Sequence, residues 1–314
     1  MLSLPRIFFI PFALAMCLFA ARVSAATPDR AVPVMDIVTM ENAQLELQFA
    51  PGFNAAARSE ARAWVTRSAQ AVAAYFGRFP VRRVTILLVP QGGAGIIGGT
   101  TYNEPELMIR VRVGRDTTRA AYLDDWIMVH EMVHLAIPDV PENQTWFHEG
   151  IATYVEIIAR EQAGLTSSER VWSELTRNLH QGLPQPGDRG LGHTPTWGRT
   201  YWGGALFCLL ADIEIRSRSH NRLGLQDALR GVIAAGGNYA KSWPLTKTLD
   251  EADRAIGLTV LADLHARMKA SAVDTDLGKL WRELGVSNSQ GVIALDDTAP
   301  QAAIRRALLA RHAN

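Results

Sequence analysis

Apolar and polar residues alternate strictly over residues 44–49, and this period of two predicts a β-strand. The alanine-rich residues 55–78 predict a long helix, whereas the β-rich runs at 83–90 and 106–113 predict two further strands. Residues 91–100 carry five glycines, so we expect a loop that shapes a turn or lets a substrate backbone come close. These elements together predict a small mixed sheet.

Two helical patterns follow the sheet. The apolar spacing over residues 122–137 is that of one continuous helix, which ends before Pro138 because proline cannot continue it. A second pattern opens at Trp146 and continues to residue 158. The turn-rich residues 138–145 join the two, so the helices can face each other.

Beyond residue 160 the periodicity is helical, with a loop rich in proline and glycine over residues 182–198. The predicted helices are residues 166–180, 199–218, 224–235, 248–256, 258–271 and 275–284, and residues 292–310 add a short strand and a last helix. We therefore predict an α+β fold. Residues 26–160 form its α/β half, which holds the small mixed sheet and both helices of the pair, with the sheet beside the first helix. Residues 161–314 form a mainly α-helical subdomain that closes the cleft.

Residues 1–25 have the pattern of a signal peptide. Arg6 supplies a weak positive charge, residues 7–20 are apolar, and Ala25 ends a small-residue cleavage site. The apolar run is too short for a stable membrane span, so we expect an exported, periplasmic protein, with secretion as the alternative. Cys17 loosely fits a lipidation motif, but Met16 occupies a position that requires a small residue.

Composition indicates a globular chain. Of the 314 residues, 48% are hydrophobic and 20% charged, with a formal net charge of +1, which argues against disorder and against a nucleic-acid partner. After signal cleavage Cys208 is the remaining cysteine, so no internal disulfide is expected, and its apolar surroundings predict a buried side chain. Residues 26–40 are expected to form a loose N-terminal segment.

The candidate chemistry lies near the end of the helix predicted over residues 122–137. Residues 130–134 read His-Glu-Met-Val-His, and residues four apart share one helix face, so His130 and His134 can bind the same ion. Glu131, one position from the first ligand, can instead hold and deprotonate a metal-bound water. This spacing is typical of catalytic zinc sites and predicts Zn²⁺ as the cofactor.

A catalytic zinc site takes three protein ligands and keeps a fourth position open. Glu149, in the first turn of the second helix, is the candidate third ligand, and the adjacent His148 is its rival. Neighbouring residues on a helix point about 100° apart, so only one of them can bind the ion. The metzincin class of zinc site is excluded, because its glycine and histidine positions hold Ile137 and Val140.

Residues 146–156 read Trp-Phe-His-Glu-Gly-Ile-Ala-Thr-Tyr-Val-Glu, and together with the His-Glu-x-x-His motif they resemble the gluzincin metallopeptidases. Aminopeptidase N and the glycyl aminopeptidase family carry such an aromatic-x-x-Glu-Gly helix after the zinc helix. Their third zinc ligand maps to Glu149. The resemblance implies a zincin-like catalytic domain.

The resemblance continues downstream and is greatest to the glycyl aminopeptidase family. It covers residues 80–285, and the segments that carry it are residues 200–207, 210–216 and 224–230. In such enzymes a tyrosine ahead of a Gly-Ala-containing helix stabilises the tetrahedral intermediate. That tyrosine maps to Tyr201.

The chain departs from this family where relatives hold a substrate's free amine with an acidic residue after a glycine motif. Residues 98–100 read Gly-Gly-Thr, and nothing in the sequence assigns the nearby Glu104 that role. Aminopeptidase and endopeptidase activity therefore both remain open. We expect residues 98–112 to hold an extended peptide by main-chain hydrogen bonds, and Glu156 either to orient a zinc ligand or to be a plain surface carboxylate.

These features predict a zinc-dependent peptidase in which Glu131 is the general base and Tyr201 stabilises the oxyanion. The expected partner is a peptide or protein substrate. One alternative is a non-catalytic zinc- or envelope-binding protein that retains the fold, against which the intact Glu131 argues. The other is a zinc hydrolase of non-peptide substrates, because the same groups serve other carbonyls. The sequence indicates no oligomeric state.

Overall fold

The computed structural model describes residues 34–310, so the predicted signal peptide and Cys17 lie outside the described residues. A mixed sheet has the spatial order β1-β2-β3-β5-β4. Its strands are β1 (Val34–Thr39), β2 (Gln44–Phe49), β3 (Arg83–Gln91), β4 (Ile96–Tyr102) and β5 (Met108–Gly114). β2, β3 and β5 run parallel to one another. At the two edges, β1 pairs antiparallel with β2 and β4 pairs antiparallel with β5.

Two of these strands correct the sequence analysis. The segment expected to be loose contains β1, which pairs with β2 from Val34 opposite Phe49 to Thr39 opposite Gln44. Residues 96–100 of the glycine-rich run expected to be a loop belong to β4, in which Gly99 pairs with Val111 of β5. Both expectations are wrong for one reason. The hydrogen bonds of a partner strand, rather than a local side-chain pattern, make these residues extended.

The helix predicted over residues 122–137 is broken in two. After the long helix α1 (Ala55–Phe76), the chain forms α2 (Arg119–Asp124) and α3 (Ile127–His134), with Asp125 extended between them at φ −67° and ψ 141°. The Asp125 carboxylate accepts hydrogen bonds from the Met128 amide and the Trp64 indole, both at 3.0 Å. Asp125 thus interrupts the predicted helix and caps the start of the half that carries the histidines.

The rest of the described chain is helical, as the periodicity predicted, apart from one hairpin, β6 (Val286–Ser289) and β7 (Val292–Leu295). The short strand expected after residue 292 is β7, whereas its partner β6 was not predicted. Within residues 34–310, no helix combines the length and the apolar character needed to cross a bilayer. The remaining helices are α4 (Thr145–Gln162), α5 (Ser168–Asn178), α6 (Gly204–Ser219), α7 (Leu225–Ala234), α8 (Leu245–Ile256), α9 (Val260–Met268), α10 (Leu277–Leu284) and α11 (Ala302–Leu309).

Helices α4 and α6 cross with their backbones in contact. A β-carbon built on Gly150 would lie 2.3 Å from Gly204 Cα, and one built on Gly204 would lie 2.2 Å from the Trp146 carbonyl oxygen. Only glycine at both positions permits this approach. The crossing places the start of α6 against the turn of α4 that carries Glu149.

A buried polar network holds the crossing in place. The Tyr154 hydroxyl on α4 donates to Asp212 Oδ2 on α6 at 2.9 Å. The same carboxylate pairs with Arg216 at 2.9 Å and accepts the Leu225 amide of α7 at 3.0 Å. Cys208 lies nearby, buried as predicted, and burial raises the pKa of its thiol, so it is an inert core residue.

Candidate metal centre

The three predicted zinc ligands meet at one point. His130 Nε2 lies 3.3 Å from Glu149 Oε2, and His134 Nε2 lies 3.6 Å from the same oxygen. One donor atom from each residue lies within 4.8 Å of the other two. Ligand atoms about 2.0–2.1 Å from a tetrahedral zinc are about 3.3 Å apart, so two of these separations are close to those of a zinc site.

The local fold explains why these side chains meet. α3 carries the two histidines one turn apart, so their rings share a face. Residues 135–137 continue in a tight turn, with the Leu135, Ala136 and Ile137 amides each bonded three residues back, before Pro138 leads away. The chain then returns through a short 3₁₀ turn, Glu142–Gln144, into α4, which packs against α3 and brings in Glu149.

Glu131 is held by the edge strand β4. The Thr101 hydroxyl donates to Glu131 Oε2 at 2.6 Å and also lies 2.9 Å from the Glu131 carbonyl oxygen. Burial raises the pKa of the Glu131 carboxyl, while the Thr101 hydrogen bond acts in the opposite direction. A carboxylate whose pKa is shifted towards neutrality is a better proton acceptor for general-base chemistry than a free one.

The electrostatics of the site favour a cation. The cluster opens into a cavity of about 280 Å³ whose described lining includes the Glu131 and Glu149 carboxylates but no lysine or arginine. Burial holds the pKa of His134 well below its usual range, so this imidazole is neutral and keeps a lone pair for a metal. Two nitrogens and a carboxylate oxygen form a donor set that zinc accepts, and the residues present therefore fit that ion.

His148 does not join the cluster of ligands. Its Nδ1 lies 2.7 Å from His134 Nδ1, on the side of the His134 ring opposite to the nitrogen that faces Glu149. Of the two rival third ligands, Glu149 is the one that meets both histidines.

Tyr201 lines the cavity from the segment immediately before α6. It lies in a short π-helical segment, Arg199–Gly203, and its ring lies 6.5 Å from that of His130. Burial, Glu149 and Glu131 all raise the pKa of the Tyr201 hydroxyl, so it keeps its proton and can donate it in a hydrogen bond.

Tyr239 also lines the cavity, although no sequence pattern predicted it. The Tyr239 amide donates to the Leu135 carbonyl at 3.2 Å, which joins its loop to the end of α3. Burial, with further contributions from Asp139 and the two site carboxylates, raises the pKa of its hydroxyl. A lone tyrosine in a loop has no motif or periodicity that would have found it.

Glu156 is buried rather than a plain surface carboxylate. It pairs with Arg160 at 3.4 Å, and among the described residues it makes no hydrogen bond to the three clustered side chains. Burial raises its pKa well above the usual range, and the Arg160 charge partly offsets this. Glu156 lines a second cavity next to the first.

The second cavity, of about 270 Å³, shares His130 and Tyr201 with the first. Two tryptophans in its wall are unusually open to solvent, with Trp126 47% and Trp197 61% exposed. Large exposed aromatic side chains beside a cleft are typical of a surface that binds a partner group. We call this space the tryptophan cavity.

No protein-family model matches the chain, and no curated protein matches its sequence. Solved structures do match. An aminopeptidase N family protein from Idiomarina loihiensis superposes with a TM-score of 0.57 at 14% identity, over 81% of this chain and 49% of that one. A two-domain M1 zinc metallopeptidase variant bound to L-arginine superposes with a TM-score of 0.51 at 14% identity, over 78% of this chain and 54% of that one. The matched region thus spans about half the length of each of these chains, and the likeness shows that this chain has the fold of the aminopeptidase N-like zinc metallopeptidases.

Proposed function

We propose that this protein is a zinc-dependent peptidase with Glu131 as its general base. One observation carries the proposal. The three clustered donor residues share one cavity with a further carboxylate, Glu131, which Thr101 holds by a hydrogen bond. A structural zinc site needs ligands alone. Burying a further carboxylate beside it costs free energy and is explained by a role in proton transfer.

Zinc held by His130, His134 and Glu149 would lower the pKa of a bound water towards about 7 and polarise a carbonyl. Glu131 accepts a proton from the attacking water and passes it to the leaving amine, while Thr101 keeps its carboxylate in place. Tyr201 donates a hydrogen bond to the oxygen on which negative charge develops. A preorganised donor of this kind typically contributes about 10²–10³-fold to kcat.

A peptide substrate is supported by the placement of β4. It is an edge strand of the sheet, and residues 99–101 line the cavity beside Glu131. An extended peptide can pair with such an edge by main-chain hydrogen bonds, which would carry a scissile carbonyl past the metal position. The adjoining tryptophan cavity offers space for one substrate side chain.

We favour cleavage within a chain over glycyl aminopeptidase activity. The only carboxylates in the described lining of the metal-site cavity are Glu131 and Glu149, and both have assigned roles. Glu104 is exposed and outside that lining. No described carboxylate of this cavity is therefore left to hold a substrate's free amine.

The decisive experiment compares the zinc-loaded mature protein with Glu131→Gln on a mixed peptide library read by mass spectrometry, with the zinc content of both measured. We expect both to hold zinc and only the wild type to cut, at internal positions. Ladders of one-residue losses would instead identify an aminopeptidase. Full zinc occupancy without cleavage by either protein would overturn the peptidase proposal in favour of a binding role.

We also propose that the protein is exported to the periplasm, on the pattern of residues 1–25. Protein purified from the envelope fraction of the producing cell should begin at residue 26 when its N-terminus is sequenced. An intact N-terminus on the cytoplasmic protein would contradict this.

A further inference from the structure

We propose that His148 is a positioning residue that holds His134 in the tautomer able to bind zinc. The inference rests on the proposed zinc site. The two Nδ1 atoms are 2.7 Å apart, and the rings are within 6° of parallel with centroids 4.7 Å apart. Face-to-face rings with that nitrogen contact would have much closer centroids. The two imidazoles therefore lie edge to edge in nearly one plane, which is the geometry of an N–H···N hydrogen bond.

The positions of the ring protons determine which of the two histidines donates this hydrogen bond. His134 Nε2 faces Glu149 Oε2, so it must carry the lone pair when a metal is bound. A neutral imidazole has a single N–H, which then lies on Nδ1 of His134 and points at His148. His148 must accept at Nδ1 and carry its own proton on Nε2, which lies 3.4 Å from the Ile137 carbonyl oxygen.

The opposite direction fits the distances less well. If His148 donated from Nδ1, then His134 would be protonated at Nε2, facing Glu149 Oε2 at 3.6 Å, too far for a hydrogen bond. The Nε2 proton of His148 would also be absent, and the Ile137 carbonyl would lose its contact. The relay from Ile137 through His148 to His134 thus favours the metal-binding tautomer before any ion arrives.

The fold makes this relay specific to one ligand. Ile137 belongs to the turn that follows His134 on the same segment, and Tyr239 packs on His148 with ring centroids 4.8 Å apart. His134 and His148 are both buried. His130, by contrast, has a buried Nδ1 without a hydrogen-bond partner among the described residues. A carboxylate or a carbonyl oxygen commonly orients a zinc-binding histidine directly. Here a second histidine, His148, orients His134.

The test is zinc affinity, measured by competition with a chelator, for three variants. His148→Leu removes the acceptor and should weaken zinc binding about 10–100-fold, the usual cost of losing such a partner. His148→Asn offers a carboxamide oxygen to the His134 N–H and should recover most of that loss. His265→Leu removes another buried histidine, which stacks on Trp146 and is outside the described lining of the metal-site cavity, and should leave zinc affinity unchanged.

A measurement on the wild type removes any dependence on how the variants fold. With ¹⁵N-labelled histidine and bound zinc, we expect His134 protonated at Nδ1, His148 protonated at Nε2, and a scalar coupling between the two Nδ1 atoms. Zinc binding by His148→Leu within twofold of the wild type, or a proton on His148 Nδ1, would overturn the inference. A wild type that binds zinc yet cuts no peptide would instead overturn the proposed activity alone.

Discussion

A β-carbon placed on Gly99 would lie 2.5 Å from Cγ of Glu131 and 2.8 Å from its Oε1. Strand β4 and helix α3 therefore touch at the proposed base, with no room for a side chain between them. Thr101, two residues further on the same face of β4, donates to that carboxylate. The glycine and the threonine together position Glu131, one by leaving space and the other by a hydrogen bond.

Gly99→Ala should displace the Glu131 carboxylate while the zinc ligands stay in place. We expect kcat on a cleaved peptide to fall about 10²-fold, because misplacing a catalytic group by about 1 Å has effects of that size. The matched control is Gly92→Ala in the same glycine-rich run, where no atom lies within 4 Å of the added carbon. A Gly99→Ala enzyme with wild-type kcat would show that the contact does not position the base.

Gly150→Ala should force α4 and α6 apart, because the new carbon would meet the Gly204 backbone. Overpacking of this kind costs about 1–3 kcal/mol, so the urea midpoint should fall. The control is Gly278→Ala in α10. The added carbon would lie 3.3 Å from the ends of two side chains and near no backbone atom. Helix propensity there favours alanine over glycine by up to about 1 kcal/mol. Equal stability of the two variants would contradict the close crossing.

Tyr201→Phe should lower kcat about 10²–10³-fold with little change in KM, because the lost hydrogen bond forms only as charge develops on the oxyanion. Tyr239→Phe provides a direct comparison, since Tyr239 lines the same cavity and its hydroxyl also stays protonated. If the loss of kcat appeared in Tyr239→Phe and not in Tyr201→Phe, the oxyanion donor would be Tyr239.

Trp197→Ala should reduce the preference for large apolar substrate side chains. Trp197 is a largely exposed wall of the tryptophan cavity, and its ring lies 5.8 Å from that of Tyr201. We expect the ratio of kcat/KM between a peptide with a phenylalanine at the selected position and the same peptide with alanine to fall about tenfold, or about 1.4 kcal/mol. An unchanged ratio would mean that this cavity does not bind a substrate side chain.

Elements with their own side-chain pattern were predicted close to where they lie. The alanine-rich run became α1 (Ala55–Phe76), and the alternating run became β2 (Gln44–Phe49). β1 was not predicted, and residues 96–100 of β4 were expected to lie in a loop, because both strands depend on pairing with neighbouring strands. The break at Asp125 was also missed, since one of its two partners is the Trp64 indole, 61 residues away in the chain.

The two candidate metal-binding histidines and the candidate base were predicted from the sequence itself. His130 and His134 share a helix face, and Glu131 is turned away from it, whatever surrounds the helix, because the spacing along a helix is a local property. Only the tertiary structure shows that Glu149, rather than His148, lies beside both of these histidines. That choice depends on how α4 is rotated against α3, and the packing of α4 on its neighbours sets this rotation. The tertiary structure also brought Tyr239 and Thr101 to the site, through contacts between segments that no local sequence pattern connects.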